Sequence, residues 1–84
     1  MKHVAVDAFW SSYTLLPLAI QKLADNNFST IKQYPNHPLL RLLRIEEFIS
    51  MRVGSRHRAL AVQENETIIW FWIGTQKQYN TLVG

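Results

Sequence analysis

The sequence predicts an α+β fold in which an N-terminal helical hairpin packs on one face of a small antiparallel β-sheet. From Leu18 to Gln33 the apolar residues recur at helical spacing, whereas after Pro38 the period shortens to that of strands. Residues Thr67 to Ile73 are apolar on both faces, as expected of a central strand covered on both sides. Helices followed by a run of strands are typical of α+β domains.

The helical hairpin is predicted from two consecutive segments. Asp7 is a favourable N-cap for a first helix, which Pro17 ends while suiting the first turn of the second helix. The second helix ends where Pro35 and Pro38 withhold backbone donors. Ahead of the hairpin, the alternation of valines with small residues permits a short strand from Met1 to Val6.

The antiparallel sheet is predicted from three strands, Phe48 to Val53, His57 to Gln63 and Thr67 to Ile73, with turns at Gly54-Ser55 and at residues 64–66. The first two strands alternate, so that Arg52 and Arg58 project from the faces opposite those of Met51 and Ala59. Residues 39–45 are a further strand or an extended crossover. Residues 76–82 are a short helix or a tail.

Two tryptophans stand in the last predicted strand. With regular alternation, Trp70 and Trp72 project to the same face of the sheet. Core packing accounts for that arrangement, and the alternative is an exposed apolar groove for a partner helix.

Length and composition limit the function classes. The chain has 84 residues, 48% of them hydrophobic and none of them cysteine. Residues 1–84 are therefore expected to form one domain without disulfides or thiolate metal sites. The histidines are too far apart for a local metal-binding pair, and we expect neither a metal nor a cofactor. No segment approaches the roughly 20 apolar residues of a membrane span or resembles a signal peptide, which predicts a cytoplasmic protein.

Positive charge is concentrated in one segment. The net charge is only +3, but all five arginines fall between residues 41 and 58, whereas the four lysines are scattered. A guanidinium is always charged and binds phosphate oxygens in a bidentate manner, so clustered arginines indicate a site for a phosphate. The alternative is an ordinary solvated surface in which Glu46 and Glu47 pair with part of the cluster.

The arginines and a tyrosine form a candidate catalytic site. Arg52 and Arg58 lie on adjacent predicted strands, and Tyr79 follows the end of the last strand. Fixed cations stabilise the charge that develops on a phosphate, and cleavage of RNA by its own 2′-hydroxyl needs proton transfer but no metal. The structural alternatives are that Tyr79 anchors the C-terminal segment and that Arg58 pairs with Glu47.

The order of these motifs resembles that of the RelE/ParE superfamily of toxins. The similarity spans most of the chain, and each piece is unspecific alone. The pieces are Phe9-Trp10, Leu16-Pro17, Ile20-Gln21, Tyr34-Pro35-Asn36-His37-Pro38-Leu39-Leu40-Arg41-Leu42, Phe48-Ile49-Ser50-Met51-Arg52-Val53, Arg58-Ala59-Leu60-Ala61-Val62, and Ile69-Trp70-Phe71-Trp72-Ile73-Gly74 followed by Tyr79.

The resemblance implies the toxin of a type II toxin–antitoxin pair, with a RelE-like fold and a cognate antitoxin as partner. Many members of the superfamily cleave mRNA on the ribosome without a metal, and the ParE branch instead inhibits DNA gyrase. By position, Arg58 matches the strand arginine that contacts the scissile phosphate, Tyr79 matches a C-terminal tyrosine that is catalytic or anchoring, and Arg52 matches a basic position on the preceding strand; Arg58 and Tyr79 are thus the expected catalytic residues. Residues expected to contact RNA are Arg41, Arg44, Arg52, Arg56, His57 and Lys77.

A third possibility is a degenerate toxin that only binds its antitoxin. It follows from the segment Gln76-Lys77-Gln78, because related toxins often carry a histidine or acidic residues there. The resemblance alone leaves the three activities open.

Overall fold

The computed structural model describes residues 2–84. Its elements are, in order, strand β1 (Lys2–Ala5), helix α1 (Asp7–Tyr13), helix α2 (Leu18–Gln33), a 3-10 turn (Pro38–Leu40), strands β2 (Leu43–Ile45), β3 (Phe48–Val53), β4 (His57–Glu64) and β5 (Thr67–Thr75), and helix α3 (Gln76–Val83). Both predicted helices and all three predicted strands are present, and the C-terminal segment is a helix. Met1, the first residue of the predicted N-terminal strand, lies outside the described residues.

The five strands form one sheet in the order β1-β5-β4-β3-β2. Neighbours from β2 to β5 pair antiparallel, whereas β1 pairs parallel with β5, with His3 opposite Ile68. The short strand that the sequence permitted ahead of the hairpin is present as β1, so the hairpin does not begin the fold, as the predicted class had it. The predicted antiparallel sheet was wrong, because the sheet is mixed. Strand β1 pairs with β5, the last strand in the sequence, so the two paired segments come from opposite ends of the chain. In the sequence, β1 is visible only as a short segment with weak alternation.

Helices α1 and α2 cover one face of the sheet, called here the helical face. The core beneath them includes Met51 and Val53 of β3 and Ala59 of β4, all fully buried. Aromatic rings link the layers. Phe28 of α2 meets Phe9 of α1 edge-on at 5.4 Å between ring centroids and the β5 ring Trp70 at 5.1 Å. Such edge-to-face contacts add to the stabilisation from burial alone.

A bulge in β5 separates its two tryptophans. Leu60 pairs with Trp72 and the next residue, Ala61, pairs with Trp70, so Phe71 is the extra residue of β5. Paired residues project to the same face, and Ala61 belongs to the core of the helical face. Trp70 therefore lies under the helices and Trp72 on the other side. The expectation that Trp70 and Trp72 project to one face was wrong, because the extra residue Phe71 interrupts the regular alternation of β5.

Helix α3 covers part of the second face, called here the α3 face. A capping box starts it, in which Thr75 Oγ1 accepts from Gln78 N at 3.1 Å and Gln78 Oε1 accepts from Thr75 N at 2.9 Å. An added Cβ at Gly74 would lie 2.4 Å from Cζ2 of Trp72 and 2.6 Å from Oε1 of Gln78. The close approach of these two side chains to the sheet thus requires glycine at this position.

The turns between strands also use residues with left-handed backbone conformations. Asn65 takes a φ of 56°, as its place at the tip of the predicted hairpin suggested. Gly54 has a φ of 64°, and a Cβ there would lie 3.0 Å from Leu23 Cδ1 of α2. Within residues 2–84, none of the helices has the length and apolar character needed to cross a membrane.

Candidate functional site

Arg58 occupies the middle of the α3 face. It stands on β4, opposite Arg52 of β3 on one side and Gly74 of β5 on the other. Only 7% of its surface is exposed, which is rare for a charged residue. The prediction that Arg52 and Arg58 share a face of adjacent strands agrees with this register.

Two neutral groups hold the Arg58 guanidinium. Its Nε donates to the hydroxyl of the fully buried Ser50 at 2.5 Å, and its Nη2 donates to the carbonyl of Arg41 at 3.0 Å. Arg41 adopts φ 49° and ψ 49° directly after the 3-10 turn. A non-glycine residue in this left-handed conformation carries a strain of about 1 kcal/mol. The surrounding structure stabilises this conformation, in which the Arg41 carbonyl accepts the hydrogen bond.

Tyr79 of α3 lies against the same guanidinium. The Arg58 Cζ is 5.2 Å from the centroid of the Tyr79 ring, a distance at which a cation is attracted to the ring face. Tyr79 is 5% exposed, and its buried hydroxyl makes no hydrogen bond of normal geometry with any described residue. A buried polar group without a partner costs about 1–3 kcal/mol, so this arrangement is expensive for stability.

The positive charge of Arg58 is not balanced by a negatively charged hydrogen-bond partner among the described residues. Burial lowers the pKa of the Arg58 guanidinium, the nearby Tyr79 hydroxyl opposes that effect, and the positive charge of Arg52 reinforces it. An arginine nevertheless stays protonated in proteins. Both acceptors of its hydrogen bonds are uncharged. The site therefore favours binding of an anion, which would compensate the desolvated charge.

Arg52 extends the positive potential towards the β3–β4 loop. Its Nε donates to the carbonyl of Gly54 at 2.9 Å, and its own carbonyl accepts from Asn27 Nδ2 of α2 at 2.6 Å. Arg52 is half-buried, and directly opposed residues of an antiparallel pair have Cβ atoms about 5 Å apart. The positive charge of Arg52 disfavours that of Arg58, so an anion between the two guanidinium groups would also relieve repulsion.

Two of the residues predicted to contact RNA lie on the helical face, opposite Arg58. Arg44 pairs with Ile49, a core residue of the helical face, and its Nη2 donates to Gln63 Oε1 at 2.7 Å. His57 pairs with the core residue Val53 and so also points to the helical side, where burial lowers its pKa. Alternation along β4 alone separates His57 from its neighbour Arg58, whereas the place of Arg44 follows from the register of β2 with β3, which the sequence did not reveal.

The remaining predicted contacts surround the site without entering it. The side chain of Arg41 is exposed while its carbonyl binds Arg58. Arg56 is exposed in the β3–β4 loop, where its carbonyl accepts from Gln76 N at 2.7 Å and so ties the loop to the start of α3. Lys77 is exposed in the first turn of α3.

Sequence reasoning missed Ser50 and the Arg41 carbonyl. Ser50 left a usable signal, because a small polar residue alternates with apolar ones on the same face as Arg52. The Arg41 carbonyl left none, since a backbone group has no identity in the sequence. Residues 2–84 contain no group of three or more histidine, aspartate or glutamate side chains placed to hold a metal ion.

No protein-family model and no curated protein matches this sequence. Solved structures do match it closely in shape. The RelB–RelE antitoxin–toxin complex from Methanococcus jannaschii contains a chain that superposes with a TM-score of 0.73 at 17% identity, over 96% of this chain and 99% of that one. The protein has the fold of RelE/ParE toxins.

Further structures of the RelE/ParE fold agree with that assignment. The RelBE2 toxin–antitoxin complex from Mycobacterium tuberculosis matches with a TM-score of 0.67 at 18% identity, covering 89% of this chain and 96% of that one. The YoeB/ParE toxin from Agrobacterium tumefaciens matches with a TM-score of 0.68 at 14% identity, covering 90% and 99%. The RelE-like fold that the motif order implied is confirmed over nearly the whole length of these chains.

Proposed function

We propose that this protein is the toxin of a type II toxin–antitoxin module, and that it cleaves mRNA on the ribosome at the α3 face without a metal. One observation carries the proposal. Arg58 is a buried cation whose hydrogen-bond acceptors are neutral, and it lies against the ring of Tyr79, whose buried hydroxyl makes no hydrogen bond of normal geometry with any described residue. Two incompletely satisfied polar groups in contact are costly for folding, and a buried polar group without full partners is often explained by a catalytic or binding role.

A phosphodiester supplies what both groups lack. Its negative oxygens accept hydrogen bonds from a guanidinium in the geometry that Arg58 presents, and a further oxygen is an acceptor for the hydroxyl of Tyr79. During cleavage the 2′-oxygen bonds to phosphorus while the bond from phosphorus to the 5′-oxygen breaks. The proton of the 2′-hydroxyl passes to water, and the 5′-oxygen receives a proton from the enzyme, which water then replaces. Arg58 stabilises the charge on the phosphorus oxygens, and Tyr79 donates the proton to the leaving oxygen.

The burial of both groups sets a condition on this reaction. Arg58 and Tyr79 are more than nine-tenths covered, so a phosphate reaches them only when α3 or the segment around Arg41 moves away. Helix α3 is the smaller obstacle, because its eight residues pack mainly on β4 and β5. Because Tyr79 is part of α3, we include in the proposed mechanism an opening of α3 that admits the RNA and a return of the helix that brings Tyr79 against the phosphate.

A protein partner is supported by the surface. Large apolar side chains are exposed on both the 3-10 turn and α3, with Leu39 at 77% and Leu82 at 58% exposure. Exposed apolar groups of this size are characteristic of binding surfaces. Two of the structures with the same fold are toxin–antitoxin complexes. We propose a cognate antitoxin as the partner that covers such residues.

The decisive experiment compares toxicity with stability in Tyr79→Phe. Removal of an unpartnered buried hydroxyl is expected to leave the free energy of unfolding unchanged or to raise it by about 1 kcal/mol. The same change should relieve growth arrest on induced expression and abolish mRNA cleavage on purified ribosomes. Tyr34→Phe is the matched control, because Tyr34 is exposed and lies outside the site. Full ribosome-dependent cleavage by Tyr79→Phe would rule out this assignment of roles.

The second candidate is an inhibitor of DNA gyrase that has no nuclease activity, in the manner of ParE. It is favoured by the burial of Arg58, because a guanidinium bonded to Ser50 and Arg41 also serves as a structural tie. In that case intact transcripts accompany growth arrest, and the purified chain blocks supercoiling by gyrase. Binding of antitoxin with neither effect identifies the third candidate, a degenerate toxin.

A further inference from the structure

A groove of about 460 Å³ lies on the helical face, between the C-terminal end of α2 and the sheet. It is far from Arg58, which projects to the opposite face. Its floor is made of core side chains, namely Ile31, Ile49, Ile68 and Trp70. Its edges carry nitrogen groups from three separate elements: His3 of β1, Lys32 of α2 and Arg44 of β2. Apolar walls with a few convergent polar groups are the usual construction of small-molecule sites.

The structure fixes His3 as a hydrogen-bond donor towards the groove. Trp70 Nε1 donates to His3 Nδ1 at 3.1 Å, and the two rings are stacked with centroids 6.3 Å apart. Because Nδ1 accepts, the proton of the neutral ring is assigned to Nε2. Burial and the charge of Lys32 lower the pKa of His3 and so favour this neutral form.

The charge of the groove has one sign. Lys32 and Arg44 are positive, and none of its lining residues is acidic. An adjoining groove of about 300 Å³ shares His3, Lys32 and Trp70, but it also contains the carboxylate of Asp25. A carboxylate repels anions, so the two grooves differ in the ligands that they suit although they share a wall.

We propose that the groove between α2 and β2 binds a small organic anion, a carboxylate attached to an apolar chain or ring. The carboxylate would contact Arg44, Lys32 and His3 Nε2, while the apolar part would lie on Trp70 and Ile68. A volume of about 460 Å³ falls in the range of sites for such molecules. This inference stands on the groove alone and is independent of the proposed cleavage of RNA.

The test uses octanoate and octanamide, which have nearly the same shape and differ in charge. Each is titrated into the full chain while amide chemical shifts and tryptophan fluorescence are recorded. We expect octanoate to shift the amides of residues that line the groove, and to bind at least about fivefold more tightly than octanamide, as two cations at the edge of a pocket suggest. Equal affinity of the two compounds would overturn the proposal.

Charge-removing variants locate the site. The double variant Lys32→Gln, Arg44→Gln should bind octanoate about tenfold more weakly and octanamide as before. Lys22→Gln is the matched control, since Lys22 is an exposed lysine of the same helix and does not line the groove. All three side chains are on the surface, so the variants are expected to fold. The proposal is also overturned if the shifts map to the groove that contains Asp25, or if millimolar octanoate shifts no amide.

Discussion

The two faces of the sheet use the same strands for opposite purposes. On the helical face, Met51 and Ala59 are fully buried among apolar neighbours, and their packing needs no polar contact. The adjacent residues Arg52, directly after Met51, and Arg58, directly before Ala59, place charges on the α3 face. Because side chains alternate between the two faces of a strand, β3 and β4 contribute apolar core residues to one face and buried charges, which are unfavourable for stability, to the other. Changes to the helical face should therefore affect folding, and changes to the α3 face should affect function.

The largest effect is expected for Phe9→Ala on the helical face. Phe9 is almost completely buried and packs against Phe28 and Trp10, so its removal leaves a cavity in the core. Loss of a buried phenylalanine ring costs about 3–5 kcal/mol of unfolding free energy. Urea denaturation followed by circular dichroism measures the change. Trp10→Ala, at a half-exposed position of the same helix, should cost clearly less; equal costs would contradict the layered core described above.

Arg58→Met tests the opposite face. The change removes the desolvation of a buried charge but leaves the Ser50 hydroxyl and the Arg41 carbonyl without their donor, so the two effects oppose each other and stability should change by no more than about 1–3 kcal/mol. Loss of a positioned donor to the phosphate should lower the rate of mRNA cleavage about 10²- to 10³-fold.

Thermal unfolding and primer extension on purified ribosomes measure the two quantities for Arg58→Met. Lys22→Met, at an exposed position of α2, serves as the control for the change of residue type. A large loss of stability in Arg58→Met alone would instead make Arg58 a structural anchor.

Ser50→Ala should have an intermediate effect. It removes the acceptor of Arg58 Nε and leaves a buried donor unpaired, at a cost of about 1–3 kcal/mol. The cost should largely disappear when Arg58 is already methionine, because no guanidinium then needs the hydroxyl. A double-mutant cycle by urea denaturation measures this coupling. Ser29→Ala, at an exposed serine of α2, is the control. Equal costs of Ser50→Ala in both backgrounds would show that Ser50 does not hold Arg58.

The smallest effect concerns pH. His57 has a folded-state pKa below that of an unfolded histidine, because burial disfavours its charged form. The unfolded chain therefore binds more protons, and the stability present above the unfolded pKa of about 6.5 is lost as the pH falls through the folded value. Unfolding free energies between about pH 7.5 and pH 5.5 should decrease, and less so in His57→Gln. An unchanged slope in that variant would assign the pH dependence to other groups, His3 first among them.

Sequence reasoning succeeded where a pattern is local. The alternation of β3 and β4 correctly placed Arg52 and Arg58 on one face, and the two prolines correctly ended α2. It failed where the arrangement depends on pairing between distant segments. The strand β1 pairs with β5, at the other end of the chain, and the bulge at Phe71 becomes visible only through the register with β4.

The residues of the candidate site were likewise predicted where the pattern is local and missed where it depends on distant segments. The alternation of single strands indicated Arg58, and the motif order indicated Tyr79. Arg44 and His57 were assigned to the site from their closeness in sequence, yet their register partners Ile49 and Val53 place them on the helical face. The left-handed conformation of Arg41 and the position of its carbonyl depend on the tertiary path of the chain, which cannot be read from the residue type.

The bond between Gln76 N and the Arg56 carbonyl has a consequence for amide exchange. At 2.7 Å it fixes the first residue of α3 to the loop before Arg58, whereas the last turn of the helix exposes Leu82. If α3 opens to admit RNA, we expect the helix to rotate about its first turn. The amide of Gln76 would then exchange with deuterium more slowly than the amides of Thr81 and Leu82, which lose their protection from exchange each time the helix moves off the sheet.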